Sequence, residues 1–316
     1  MHKYLRRHAW LPLSLAAVLA ACGDEEAEEA NGEADDEDTA TEETDDNDGE
    51  ADENGSGIDV DGEEIELAYV AWESELASTN VISQVLEEAG YDVTMTQTDQ
   101  APMWISVAEG DADGFVAAWL PSDMAAEYEE YGDDVVDLGP NLEDAITGLA
   151  VPDYMDIDSI DELSSDVVGE ITGIDAGAGI MSSAEDAIEM YDLDMELSAS
   201  SDAVMTAELD SRISDEEPVV VTAWQPHWKF NTYDMDFLDD PEGAFGEGEE
   251  IRTMVREGLE EDHSEAYQIL DNFYWTPDDM NEVMLDISEN EMDPEDAAAD
   301  WIEDNRDSVD EWLDID

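Results

Sequence analysis

Positive charge is what this sequence has least of. Its 316 residues hold 8 Lys and Arg against 92 Asp and Glu, a formal net charge of −84. Three of those bases, Lys3, Arg6 and Arg7, stand at the very start, and none occurs from His8 to Ser211. Such a surface repels nucleic acid and anionic lipid headgroups, so neither is expected as a partner. Its self-repulsion also opposes compaction unless ions screen it, which at about 1 M salt they do over roughly 3 Å. The composition therefore suits a high-salt medium, and most carboxylates read as hydrated surface.

Cysteine is nearly absent. Cys22 stands alone, which excludes an internal disulfide. Histidine is scarce as well: beyond the first ten residues there are only His227 and His263. With no acid–base constellation and no metal-ligand spacing in view, neither an enzyme, a metal nor a cofactor is expected. His263 lies in a polar helical stretch and reads as exposed. His227, in "WQPHW", reads equally as a packing hydrogen-bonder or a cleft residue. Long apolar runs are missing too, since the run from Ala9 to Ala20 is too short to span a bilayer. Behind Lys3, Arg6 and Arg7, and ending in small residues, it has the form of a secretory signal. "LAAC" at 19–22 resembles the bacterial lipobox, which makes 1–22 a lipoprotein signal peptide and Cys22 an acylated anchor. The expected location is the extracytoplasmic face of the cell membrane, where two acyl chains hold stably and one only weakly.

Residues 23–63 are dense in Asp, Glu, Gly and Thr and hold almost nothing apolar, which predicts an acidic disordered tether. From Ile65 short apolar runs alternate with amphipathic stretches. "IELAYVAW", "YDVTMTQT" and "DGFVAAW" read as strands, and "ASTNVISQVLEEAG" and "APMWISVAEG" as helices closed by Gly90 and Gly110. The same grammar returns in "GEITGIDAG", "SSAEDAIEMYDL", "MELSAS", "SDAVMTAELDSRI" and "PVVVTAW". Alternation of this kind implies an α/β fold of parallel βαβ units in two lobes, 64–150 and 151–238. In residues 239–316 the chain after "DDPEGAFGEGEE", starting with "IRTMVREGLEE", reads as helices packing back on the first lobe, with Thr276 and Asp293 as caps ahead of Pro277 and Pro294.

What stands out against this background is tryptophan. Three predicted strands end alike, at Trp72, Trp119 and Trp224, and the last two continue as Trp-x-Pro. In open α/β sheets ligands bind beyond the carboxyl ends of the strands, so the three rings are placed where a cleft between lobes would lie. Trp104, Trp275, Trp301 and Trp312 fall in helical patterns and read as packing residues. Several indole faces around one cavity suit a quaternary ammonium, each contributing roughly 0.5–2 kcal/mol. Three give at most about 6 kcal/mol, short of the roughly 8 kcal/mol of micromolar binding, so a second anchor is required. "GIDAGAGIMSSAEDAIEMY" offers one: a Gly-rich turn opening a helix, with Ser182 and Glu185 in capping-box spacing and free backbone N–H groups for a carboxylate.

The blocks "AYVAWESELASTNVI", "MWISVAEGDADGFVAAWLP", "GLAVPDYM", "GIDAGAGIM" and "TAWQPHWKF" resemble the glycine betaine binding proteins of compatible-solute ABC importers, the OpuAC/ProX type. The resemblance implies a two-lobed, periplasmic-binding-protein-like (type II) fold with the ligand cleft between the lobes. It implies a prism of Trp72, Trp119 and Trp224 around a trimethylammonium group and the amides of Gly179 and Ile180 on a carboxylate. The family adds a His five residues after the middle Trp, where this chain has Met124 in "WLPSDM"; restoring His there is expected to tighten binding. Some relatives carry the two halves in swapped order. The implied partners are glycine betaine or a related betaine, an ABC permease and its ATPase, and the membrane through the anchor. The alternatives are a receptor for choline, carnitine or a related solute, or an acidic structural surface protein.

Overall fold

The computed structural model describes Val60 and residues 62–315; the signal segment, Cys22 and most of the acidic tether lie outside them. Strand β1 (Glu64–Tyr69) buries Ile65, Leu67 and Ala68. Helix α1 (Glu73–Ala89) follows directly and stops at Gly90, whose φ of 111° is a left-handed conformation that costs glycine little. Then come β2 (Asp92–Gln97), α2 (Gln100–Ala108) and β3 (Gly114–Leu120), the last buried along its whole length. Both β2 and β3 pair parallel with β1, which gives the βαβ units that the alternation predicts.

After α3 (Ala125–Tyr131) runs β4 (Val135–Pro152), a strand of 18 residues. A second βαβ set follows: β5 (Glu170–Thr172), α4 (Gly179–Met190), β6 (Glu196–Ser198), α5 (Asp202–Ser214) and β7 (Val221–Gln225). Short α6 (Lys229–Thr232) and β8 (Met235–Phe237) lead to β9 (Glu249–Arg256). The strand order is β2-β1-β3-β9-β4-β7-β5-β6, with β8 also on β4. Up to Ala145, β4 pairs antiparallel with β9; from Ile146 it pairs antiparallel with β7. One strand thus holds two groups of strands together.

Strand β9 corrects the sequence reading of "IRTMVREGLEE" as a helix. Ile251, Met254 and Val255 mimic helical spacing, but Ile251, Thr253 and Val255 alternate inward, and β-branched residues suit a pleated surface between two neighbours. Because β9 is antiparallel to β3 and β4, the sheet is mixed at its centre and parallel only in its flanks. No strand was expected over 135–152, because Gly139 and Pro140 interrupt β4; Gly139 has φ 103°, and the register shifts on either side of it.

The remaining chain is helical: α7 (Leu259–Asp262), α8 (Ser264–Asn272), α9 (Pro277–Ser288), α10 (Pro294–Asp304) and α11 (Arg306–Trp312). The side chains of Thr276 and Asp293 accept backbone N–H groups at the starts of α9 and α10 as the sequence predicts, Thr276 within a full capping box. Arg306 clamps Glu88 of α1 at 2.6 and 2.8 Å, and Gln84 of α1 donates to the Glu295 carbonyl at 2.8 Å. Trp301 and Trp312 stack at 5.8 Å, with Trp275 edge-on to Trp301 at 5.7 Å. Trp104 lies edge-on to Phe115 at 5.0 Å, so all four are packing residues. Trp275, however, precedes α9 rather than sitting in a helix. Among the described residues no helix is long and apolar enough to cross a membrane.

Candidate ligand-binding site

Trp72 caps α1 just beyond the carboxyl end of β1, Trp119 is the next-to-last residue of β3, and Trp224 the next-to-last of β7. Each is at least 95% buried, and the three line one small cavity with Asp123, Thr147, Ile174 and Ile180. Trp72 and Trp224 lie 6.5 Å apart, tilted by 50°. Thr147 joins them because it stands directly opposite Trp224 across the β4–β7 ladder, and opposed residues share a face of the sheet. Trp119 is oriented by its indole N–H, which donates to Glu75 Oε1 of α1 at 3.2 Å. A wider cleft elsewhere, of about 800 Å³ and lined by Asp137, Glu143, Asp144 and Glu250, carries carboxylates and no tryptophan.

The amino end of α4 closes the cavity on the side of Ile180. Its first turn begins after Ala178, so Ser182 lies inside the helix and is not the cap that its spacing with Glu185 suggests. The Gly179 N–H donates to Gln100 Oε1 at 3.1 Å, and the Ile180 N–H bonds the Asp123 carboxyl. A Cβ on Gly179 would run into the Asp123 carbonyl, which is why only glycine lets this turn approach so closely.

With this geometry in place, comparison with known proteins is decisive. Residues 63–304 match the family described as the substrate binding domain of ABC-type glycine betaine transport systems. The chain belongs to that family. It is 49% identical over 160 residues to the glycine betaine/carnitine transport binding protein GbuC of Listeria monocytogenes serotype 1/2a (strain 10403S), covering 50% of this chain. That match spans about half, 53%, of GbuC itself. The structure resembles lactococcal OpuAC in its closed, glycine betaine-bound form, at 45% identity and a TM-score of 0.77, over 79% of this chain and 99% of that one. It also resembles an ABC-transporter choline binding protein in complex with choline, at 26% identity and a TM-score of 0.74, over 79% and 91%. The family is one of substrate-binding proteins, not enzymes, and its two-lobed periplasmic-binding-protein-like fold is this chain's fold.

Two sequence-predicted residues sit away from the cavity. Met124 is fully buried against α2, its Sδ accepting the Trp104 indole N–H at 3.4 Å, so its neighbour Asp123 takes the place on the wall. This corrects the expectation for Met124→His: an imidazole here meets the core. His227 lies behind Trp224, edge-on at 4.9 Å, and is 99% buried. Its Nε2 is 3.4 Å from Glu73 Oε2 and 3.8 Å from Asp202 Oδ1. Asp202 in turn accepts the Glu73 backbone N–H at 3.0 Å, tying the start of α1 to the start of α5. Lys229 completes this group, its Nζ over Trp224 at 4.1 Å from the ring centre. Glu73, Asp202 and His227 bring donor atoms within 4.8 Å of one another, a metal-ligand grouping that the sequence reading excluded; the adjoining Lys229 ammonium supplies its positive charge. His263, expected to be exposed, is partly covered and bonds Glu63 at 2.9 Å.

Burial sets the protonation of these groups. It pushes Glu75 up to about 8, with the charge of Asp123 adding to the effect, and it lowers His227 to about 4 and Lys229 to about 8. Burial likewise raises Glu73, helped by the Asp202 charge. Asp202 is pushed up by burial too, but His227 and Lys229 outweigh that and hold it low. Asp123 is raised to about 8 by burial and then by Glu249 and Glu127.

Glu75 and Asp123 therefore bind more protons in the folded than in the unfolded chain between their ordinary range and pH 8, so stability falls as pH rises through that window. Each contributes about 1.4 kcal/mol per pH unit at most. His227 acts oppositely, but only below about 6.5. The melting temperature in high salt is expected to drop between pH 6.5 and 8, with Glu75→Gln removing part of the slope. A melting temperature rising with pH over this interval would overturn the assignment.

Proposed function

We propose that this chain is the extracytoplasmic receptor of an ABC importer, binding glycine betaine or a related betaine and delivering it to the permease and ATPase. The observation that carries the reading is the convergence of Trp72, Trp119 and Trp224 with Ile180 on one cavity in a member of this family. A trimethylammonium group offers a diffuse charge without hydrogen-bond donors, which suits three indole faces. Residues 64–150 with 239–316 form one lobe and 151–238 the other, and ligand binding favours the closed arrangement. His227 supports the cage from behind through Trp224, and the amino end of α4, with Ile180 on the cavity wall and Gly179 beside it, marks the side on which the ligand's carboxylate lies.

Acylation at Cys22 and the acidic tether hold the receptor near its permease, and the excess of carboxylates adapts it to high salt. Choline is the second reading, favoured by the likeness to the choline-bound structure and by the Asp123 carboxyl in the cavity wall. Tryptophan fluorescence in 2 M NaCl is expected to change on micromolar glycine betaine and saturate. A response to further NaCl alone, with none to glycine betaine or to choline, would leave only the acidic surface protein.

A further inference from the structure

The site has no histidine to meet a ligand carboxylate, and its amide donors are engaged. The Gly179 N–H goes to Gln100 and the Ile180 N–H to Asp123. Asp123 is the ionisable group on the cavity wall, which it shares with the Thr147 hydroxyl and the three tryptophans; it sits on a turn fixed by Glu249, which accepts the Ser122 and Asp123 N–H groups at 3.1 and 3.3 Å. The titratable groups facing it are all acidic: Glu249 of β9, Glu127 of α3 and Glu75 of α1. Desolvation in this small cavity, with Glu249 and Glu127 adding to it, disfavours a charge on Asp123.

We infer that protonated Asp123 is the donor that receives a ligand's carboxylate, and that its ionisation turns the site from zwitterionic betaines towards quaternary ammonium cations without a carboxylate. The inference rests on the cage reading above. With one oxygen engaged by Ile180, the neutral acid has its hydroxyl to give to a carboxylate. Once ionised, the same group repels a carboxylate and attracts a bare cation. Betaine affinity is therefore full while Asp123 is neutral and falls as pH rises through its titration near 8, whereas choline affinity rises.

Calorimetry on the full chain in 2 M NaCl, with glycine betaine and with choline from pH 6.5 to 9.5, tests this. The betaine-to-choline affinity ratio is expected to fall at least tenfold in the native protein. Asp123→Asn should weaken betaine three- to tenfold at pH 7 and flatten the ratio. A ratio constant with pH, or a slope that survives Asp123→Asn, overturns the inference while leaving the cage standing. Failure of both ligands to bind at every pH overturns the cage and the inference together.

Discussion

Trp119→Ala is expected to weaken glycine betaine binding at least a hundredfold, measured by calorimetry in 2 M NaCl. Trp119 is 97% buried and is locked in place from both ends, by its strand and by the bond to Glu75, so no neighbour can swing in to replace it. The lost cation–π contact accounts for up to about 2 kcal/mol. Opening one wall of a small cavity to water adds to that, and a central tryptophan of this kind commonly exceeds 2 kcal/mol on truncation. A hundredfold is about 2.7 kcal/mol. The substitution also costs folding stability, about 3–5 kcal/mol for a buried aromatic. Melting curves must therefore show that the variant is folded before its affinity is read. Trp119→Phe separates the two effects, keeping a ring and most of the packing at a smaller loss of affinity. Native affinity in a folded Trp119→Ala protein would sink the cage.

The second large effect is on salt. Lowering NaCl from 2 M to 50 mM is expected to lower the melting temperature by more than 10 °C. Five Lys and Arg follow Ser211, and each of the four arginines among them, 212, 252, 256 and 306, already meets two carboxylates. Helix α1 and strands β1 to β3 contain no base of their own, so apart from Glu88, which Arg306 clamps, and Glu73, which lies near Lys229, their acids depend on ions for screening. At roughly 2–4 °C per kcal/mol for a domain of this size, 10 °C needs only about 3–5 kcal/mol of unscreened repulsion. Sucrose at 50 mM salt, which favours burial without screening charge, should restore little of the loss. Equal melting temperatures at both salt concentrations would show that the acidic surface is tolerated without ions.

The parts of the fold and site that the sequence makes legible share a cause: they are local. Trp72, Trp119 and Trp224 stand out because each ends an apolar run, and the chain turns at a proline after two of them. Gly90, Thr276 and Asp293 mark helix ends by their own conformational or capping chemistry. What stays hidden depends on contacts across the chain. Asp123 looks like one more hydrated acid until β9 and α4 partly cover it beside the cavity. Asp202 and Glu73 are 129 residues apart and meet only through the fold. The one available signal for that cluster was Lys229, the single lysine after Lys3, set beside "WQPHW". Strand β9 was hidden by residue spacing that fits two periods, and its place between β3 and β4 decided the outcome.

Strand β4 changes partners between Ala145 and Ile146, next to Asp144, whose φ is 63°. Neither group of strands can melt alone without stripping hydrogen bonds from a strand the other still needs. The two groups thus share one cooperative unit, so heat capacity should register a single unfolding event rather than two.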